Sequence, residues 1–333
     1  MLRSKIIAAA LGLAALSAAT FAIAAPSPSP LDPGPLAVMA MPAPPVLRYR
    51  ARDGALLAYR VFTPRPDPVQ PAPQQASVVA ILLHGSGGSS LNMTALGEAL
   101  AAAGVPTFAP DVRGQGLSGR RGDIDYIGQQ DDDLAALVAV VRQTYPNARL
   151  VLVGHSAGGG FVLRVAGEAE GRLFSRFVLL SPVLGRLAPT NRPDAGWARP
   201  NVPLIVLLAG LNQIGVTAFN GARVVSFNVA PGAQTLGVTG GWSYRMMSNY
   251  GPRGQTQLFG RPGYWTDAQR APAPIAVIAG AGDEQFYADR YATAFAGLPV
   301  SVTLAPGVSH MGVVSDPRAL PLVVEAVRAG AGG

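Results

Sequence analysis

The chain reads as an α/β domain, with a mostly parallel central sheet, helices on both faces and a cap inserted late in the order. Three observations predict this. Short apolar runs alternate with helical patterns, as parallel strands joined by crossover helices require. The runs are apolar at consecutive positions rather than every second one, which marks strands buried on both faces. One long stretch, residues 186–270, breaks the alternation between two such runs and reads as the cap.

At the start, Arg3 and Lys5 precede an uncharged, alanine- and leucine-rich stretch from Ile6 to Ala25. This pattern is expected of a secretory signal over residues 1–24, with the small residues Ala22 and Ala24 suiting cleavage after Ala24. The alternative is an uncleaved anchor, since the stretch is close to bilayer-spanning length. Export to the periplasm or the medium is therefore expected. Residues 25–45 are proline-rich and read as an extended linker. The chain has no cysteine, which excludes a lipoprotein anchor and disulfides, so the domain over 46–330 must be stabilised by its core.

Within that domain, Leu47–Arg50 and Leu56–Phe62 flank Arg52-Asp53-Gly54 and predict an antiparallel hairpin. Strands follow at 76–83, 105–109, 149–153, 177–180, 275–278 and 300–304, with helices at 92–103, 131–144 and 158–168. No internal repeat is visible.

The strand ending at Val153 runs into Gly154-His155-Ser156-Ala157-Gly158. A serine held between two glycines at a strand-to-helix turn is a nucleophile elbow: the turn lifts Ser156 Oγ clear of the sheet, and side chains at 154 and 158 would collide. A serine nucleophile needs a base, and the chain has three histidines. His155 lies beside Ser156, where adjacent side chains diverge. His84 lies upstream in Leu83-His84-Gly85-Ser86-Gly87-Gly88, where an oxyanion loop is expected. His310, in a glycine-flanked loop after the strand at 300–304, remains as the base. The acid that orients it should follow a strand, and Asp283, after Ile275–Ile278 and a glycine-rich turn, fits best. Glu284 could substitute, and Asp283 could also cap a helix starting near Glu284. The expected oxyanion donors are the backbone N–H groups of Ser86 and Ala157, with His84, Gly85, Gly154 and Gly158 as supporting residues.

With these residues the chain resembles the α/β-hydrolase superfamily, in particular its serine aminopeptidase and monoacylglycerol lipase-like branch. Leu83-His84-Gly85, the segment Asp111-Val112-Arg113-Gly114-Gln115-Gly116-Leu117-Ser118, the elbow and the Asp283/His310 pair carry the resemblance over about residues 46–328. Gln115 stands where histidine is usual, and Asp111 and Arg113 are expected to brace that loop with charge-assisted hydrogen bonds. The resemblance implies the α/β-hydrolase fold and an acyl-transfer chemistry. Epoxide hydrolase and dehalogenase chemistry would place aspartate at position 156.

Substrate choice is expected to lie in the cap. Residues 202–222 carry no charge, which suits a lipid-type acyl ester such as a monoacylglycerol or lysophospholipid, or else marks a helix buried against the main domain. Trp242, Tyr244, Tyr250, Tyr264 and Trp265 could line the pocket or pack. A serine aminopeptidase is the alternative, but residues 195–266 contain neither Asp nor Glu to hold a substrate α-amino group. A non-catalytic binding protein is the third reading.

The 26 basic residues, less Arg3 and Lys5, leave 24 scattered arginines against 19 acidic residues. Without a basic stripe interleaved with aromatics, nucleic-acid binding is not expected; the arginines read as a solvated surface, with weak attraction to anionic membrane surfaces as the alternative. No metal, cofactor or obligate protein partner is expected, and the glycine-rich 85–88 loop lacks the lysine of a phosphate-binding loop.

Overall fold

The computed structural model describes residues 42–64, 76–193, 195–228, 239–250 and 263–329. The expected signal, and the expected linker up to residue 41, lie outside the described residues. Among the described residues, no helix is long and apolar enough to cross a membrane.

Eight strands form the central sheet: β1 (Leu47–Arg50), β2 (Leu56–Phe62), β3 (Val78–Leu83), β4 (Thr107–Pro110), β5 (Arg149–His155), β6 (Arg176–Leu180), and, after the insertion, β10 (Ile275–Gly280) and β11 (Val300–Ala305). Their order is β1-β2-β4-β3-β5-β6-β10-β11. β2 pairs antiparallel with both β1 and β4, and every other pairing is parallel. The expected strand at 105–109 begins at Thr107 instead, because Pro106 has no N–H for the ladder.

Strand periodicity divides the apolar residues between two cores. Val79, Ile81 and Leu83 of β3, with Leu150 and Leu152 of β5 and Phe177 and Leu179 of β6, face one layer. Val78, Ala80, Leu82, Val151, Val153, Val178 and Leu180 face the other. Helices α2 (Gln129–Thr144) and α3 (Ala157–Ala166) cover the first face through Leu137, Val141, Phe161 and Val165. Helices α1 (Thr94–Ala102) and α8 (Leu320–Arg328) cover the second through Leu96, Leu100, Val323 and Val327. The expected helix at 92–103 starts as a 3-10 turn at Ser90–Met93 before α1.

Between β6 and β10 the chain builds a separate three-stranded antiparallel sheet from β7 (Ala198–Pro200), β8 (Arg223–Phe227) and β9 (Gly241–Ser243). It carries α4 (Val202–Gln213), α5 (Tyr244–Tyr250) and α6 (Gly263–Arg270). The uncharged α4 buries Ile205 and Leu208 and leaves Val206 exposed. Trp242, Tyr244, Tyr250 and Tyr264 are buried in the first core layer, so these aromatics pack. The remaining helix, α7 (Tyr291–Ala294), follows a 3-10 turn at Ala288–Arg290. No helix starts at Glu284, contrary to the sequence pattern: Asp283 Oδ1 accepts the N–H groups of Gln285 and Phe286 and closes a local turn there.

Candidate active site

The sheet brings four loops together at its carboxyl edge. The first is the turn from β5 into α3. Ser156 there has φ 55° and ψ −118°, a conformation that L-residues rarely adopt and that surroundings must hold in place. The Ser156 N–H donates to the Leu180 carbonyl at 2.9 Å, and the Ser156 carbonyl accepts from Val183 N–H at 3.0 Å. The two flanking glycines are steric necessities. A Cβ at Gly158 would stand 2.5 Å from the His84 carbonyl oxygen, and one at Gly154 would strike the Gly158 carbonyl. Ala157 is the first residue of α3, so its N–H is one of the donors that a helix start leaves without an intrahelical partner.

The second loop follows β3. A turn bonded from Gly88 N–H to the Gly85 carbonyl places Ser86 and Gly87 at its corners. Gly87 has φ 73°, as the second corner of a type II turn demands. Ser86 N–H, at the first corner, stands outside the turn's own bond. The loop rests directly on the elbow, since a Cβ at Gly85 would meet Ser156 Cβ at 3.1 Å. His84 is fully buried; its Nε2 accepts from Val112 N–H at 3.1 Å while Nδ1 lies 2.8 Å from the Gly85 carbonyl. Burial, only partly opposed by the Asp111 charge, holds its pKa below the ordinary imidazole value, so His84 is a neutral brace.

The third site element is a pair of adjacent loops after β10 and β11. Ala281 N–H donates to Ala305 and Gly282 N–H to Val308, extending the parallel pairing beyond the strands. Gly280 leaves no room for a side chain against the Val308 carbonyl. The loops thereby set Asp283 Oδ2 2.9 Å from His310 Nδ1. Both residues are buried. Burial pushes the Asp283 carboxyl up, but attraction to His310 and the hydrogen bonds it accepts outweigh this and hold it below the usual carboxylate range.

His310 is seated against the elbow by two contacts. Its ring lies 4.7 Å, centroid to centroid, from that of His155, and its carbonyl accepts from His155 Nε2 at 3.0 Å. Phe286 packs edge-on against the His310 ring at 5.3 Å. His155 is pushed down to about 3 by burial and by the neighbouring His310, so it stays neutral and cannot compete for protons. Its ring nitrogen is already committed to holding the His310 backbone.

The structure thus gathers Ser156, Ala157, His84, Gly85, Ser86, His310 and Asp283 into one region. Four further residues support it. Glu284 Oε2 accepts the His310 N–H at 2.9 Å; the sequence suggested it only as a substitute acid. Gln115 Oε1 accepts Gly87 N–H at 2.6 Å; the sequence marked Gln115 only as standing where histidine is usual. Trp197 Nε1 donates to Ser86 Oγ at 2.8 Å and Tyr250 OH to the His84 carbonyl at 2.5 Å; no local pattern announces either. Asp111 accepts Ser90 and Leu117 N–H at 2.7 and 2.8 Å, and Arg113 pairs with Asp133 at 2.7 Å, so both brace the 111–118 loop.

A family model described as serine aminopeptidase, S33, matches residues 74–211. That stretch includes the 84–88 loop and Ser156 and ends before Asp283 and His310. Over 154 residues the chain is 29% identical to a monoacylglycerol lipase of Mycolicibacterium smegmatis, a match covering 41% of this chain and 52% of that protein. A monoglyceride lipase homolog of monkeypox virus is 30% identical over 107 residues, covering 32% of this chain and 38% of that protein. The chain spans about half the length of the first of these relatives and less of the second. The monoglyceride lipase of Saccharomyces cerevisiae, solved as a soluble variant with a substrate analog, shares the fold with a TM-score of 0.65 at 18% identity, covering 88% of this chain and 97% of that one. The chain thus has an α/β-hydrolase fold and is similar to the serine aminopeptidase, S33 family over residues 74–211 and to monoacylglycerol lipases.

Proposed function

We propose that the protein is an exported serine hydrolase that cleaves carboxylic esters through an acyl-enzyme on Ser156. The observation that carries this reading is the strained Ser156 elbow beside the bonded Asp283–His310 pair. Asp283 occupies Nδ1 of His310, which leaves Nε2 as the ring nitrogen that takes the Ser156 Oγ proton during attack on the ester carbonyl. The developing oxyanion is met by Ser86 and Ala157 N–H, and Asp283 stabilises the imidazolium that forms. His310 then gives its proton to the departing alcohol. Water, deprotonated by the same nitrogen, releases the acid and restores Ser156.

Lipid-type acyl esters, of the monoacylglycerol or lysophospholipid kind, are the proposed substrates. The uncharged residues 202–222 and the lipase relatives support this, while the absence of Asp and Glu from residues 195–266 counts against recognition of a peptide's α-amino group. The basic start and apolar stretch of residues 1–24 support export. Turnover of esters of increasing acyl length, alongside aminoacyl amides, tests the substrate class. Esters should be cleaved with kcat/KM rising with chain length. Amide turnover with negligible ester cleavage would replace this reading with a peptidase.

A further inference from the structure

Hydrogen bonds from outside hold the 84–88 loop, and three of them come from the insertion between β6 and β10. From the main domain, Gln115 Oε1 takes Gly87 N–H. From the insertion, Trp197 Nε1 donates to Ser86 Oγ at 2.8 Å, Thr239 N–H donates to the Gly87 carbonyl at 3.0 Å, and Tyr250 OH donates to the His84 carbonyl at 2.5 Å. Two of these donors, Trp197 and Tyr250, are fixed in turn. The Trp197 ring stacks on Phe227 of β8 at 5.3 Å with planes 14° apart, and Phe227 meets Trp242 edge-on at 5.0 Å. Trp242 meets Tyr250 at 5.7 Å, and Tyr250 packs on Phe161 of α3, the helix that begins at Ala157, at 5.2 Å. Burial raises the Tyr250 hydroxyl's pKa, so it remains a donor at any working pH. One aromatic array therefore connects the loop bearing Ser86 to the helix bearing Ala157.

An oxyanion site works because its donors are fixed before charge develops, and misplacement by a fraction of an ångström weakens them. Ser86 stands at the corner of a four-residue turn, and its Oγ is the side-chain atom through which the insertion grips that corner. We propose that Trp197 is a positioning residue for the reaction: through Ser86 Oγ it fixes the orientation of Ser86 N–H, making the insertion a working part of the oxyanion site as well as a cover. This rests on the serine-esterase reading above.

The test is a double-mutant cycle of Trp197→Phe, which keeps a ring on Phe227 and removes the N–H donor, with Ser86→Ala, which keeps the backbone N–H and removes the acceptor. Kinetics are measured on a soluble p-nitrophenyl ester, with fluorophosphonate labelling of each protein in parallel. Each single variant should lower kcat about tenfold with KM nearly unchanged, and the double variant should be no worse than either single one. Ser86→Ala at wild-type kcat, or a rise in KM alone in Trp197→Phe, overturns the positioning role. Additive losses do so too, because the two groups would then act independently. If Trp197→Phe fails to fold, Ser86→Ala alone decides by its kcat. An unlabelled wild type would overturn the serine reading itself, which is distinguishable from a labelled, active wild type whose variants are unaffected.

Discussion

The Asp283–His310 pair shows how residue environment sets role. Two imidazoles, His310 and His155, lie with ring centroids 4.7 Å apart, yet only His310 has a carboxylate at its Nδ1, at 2.9 Å. His155 instead has a backbone carbonyl as partner and complete burial, and is pushed down to about 3. In the proposed mechanism the base is therefore chosen by what each ring touches rather than by distance from Ser156 along the chain. Asp283→Asn should keep the local turn, since an amide oxygen can still accept from Gln285 and Phe286, but it should favour the wrong His310 tautomer. We expect kcat on an ester substrate to fall about 10⁴-fold with a far smaller change in KM; a loss under tenfold would show that another group orients His310. The Asp283–His310 pairing was legible because the chain has so few histidines and because Asp283 directly follows an apolar strand. Glu284's hold on the His310 N–H was not readable, since a backbone acceptor role leaves no mark in residue type.

At the scale of elements, the main-sheet strands were legible wherever both faces are buried, because runs such as Val78–Leu83 and Ile275–Gly280 are apolar throughout. The insertion's strands were not. β7 and β9 have three residues each, and β7 is Ala-Arg-Pro, so periodicity has nothing to act on; their pairing through β8 and the Trp197–Phe227 stack are long-range facts. Charge anchors the insertion to the main domain at another point. Arg164 of α3 binds both Asp131 oxygens of α2 at 2.8 and 2.9 Å and the Asn249 carbonyl of α5 at 3.1 Å, and Asn249 Nδ2 returns to Asp131 at 3.0 Å. Burial raises the Asp131 carboxyl, and Arg164 is the main opposing influence. Arg164→Leu would strand that carboxyl and should cost about 3–5 kcal/mol, read as a lower urea midpoint. A loss below about 1 kcal/mol, the range of an exposed pair, would show the cluster to be solvated.

For the molecule as a whole, the two neutral, buried histidines make folding sensitive to mild acid. In the unfolded chain His155 takes up a proton below its ordinary value of 6.5, whereas in the folded protein it resists until about 3. Its contribution to stability is complete above pH 6.5 and is lost as pH falls from there toward 3, by up to about 1.4 kcal/mol per pH unit. His84 adds to the same trend. Carboxylates held below their ordinary range, Asp53, Asp123 and Asp283, contribute stability that is lost only at lower pH, as they protonate below 3.8. Urea unfolding at pH 7 and pH 5 should show a smaller drop for His155→Gln than for the wild type; equal drops would mean that His155 is protonated in the folded state. The proposed chemistry centres on one atom, Ser156 Oγ, at the turn from β5 into α3. The most direct test of that claim is labelling of the folded protein with a fluorophosphonate, followed by peptide mass mapping. The account predicts one adduct, on Ser156, lost in Ser156→Ala and greatly slowed in Asp283→Asn; equal labelling of Ser156→Ala and wild type, or no labelling of either, would contradict it.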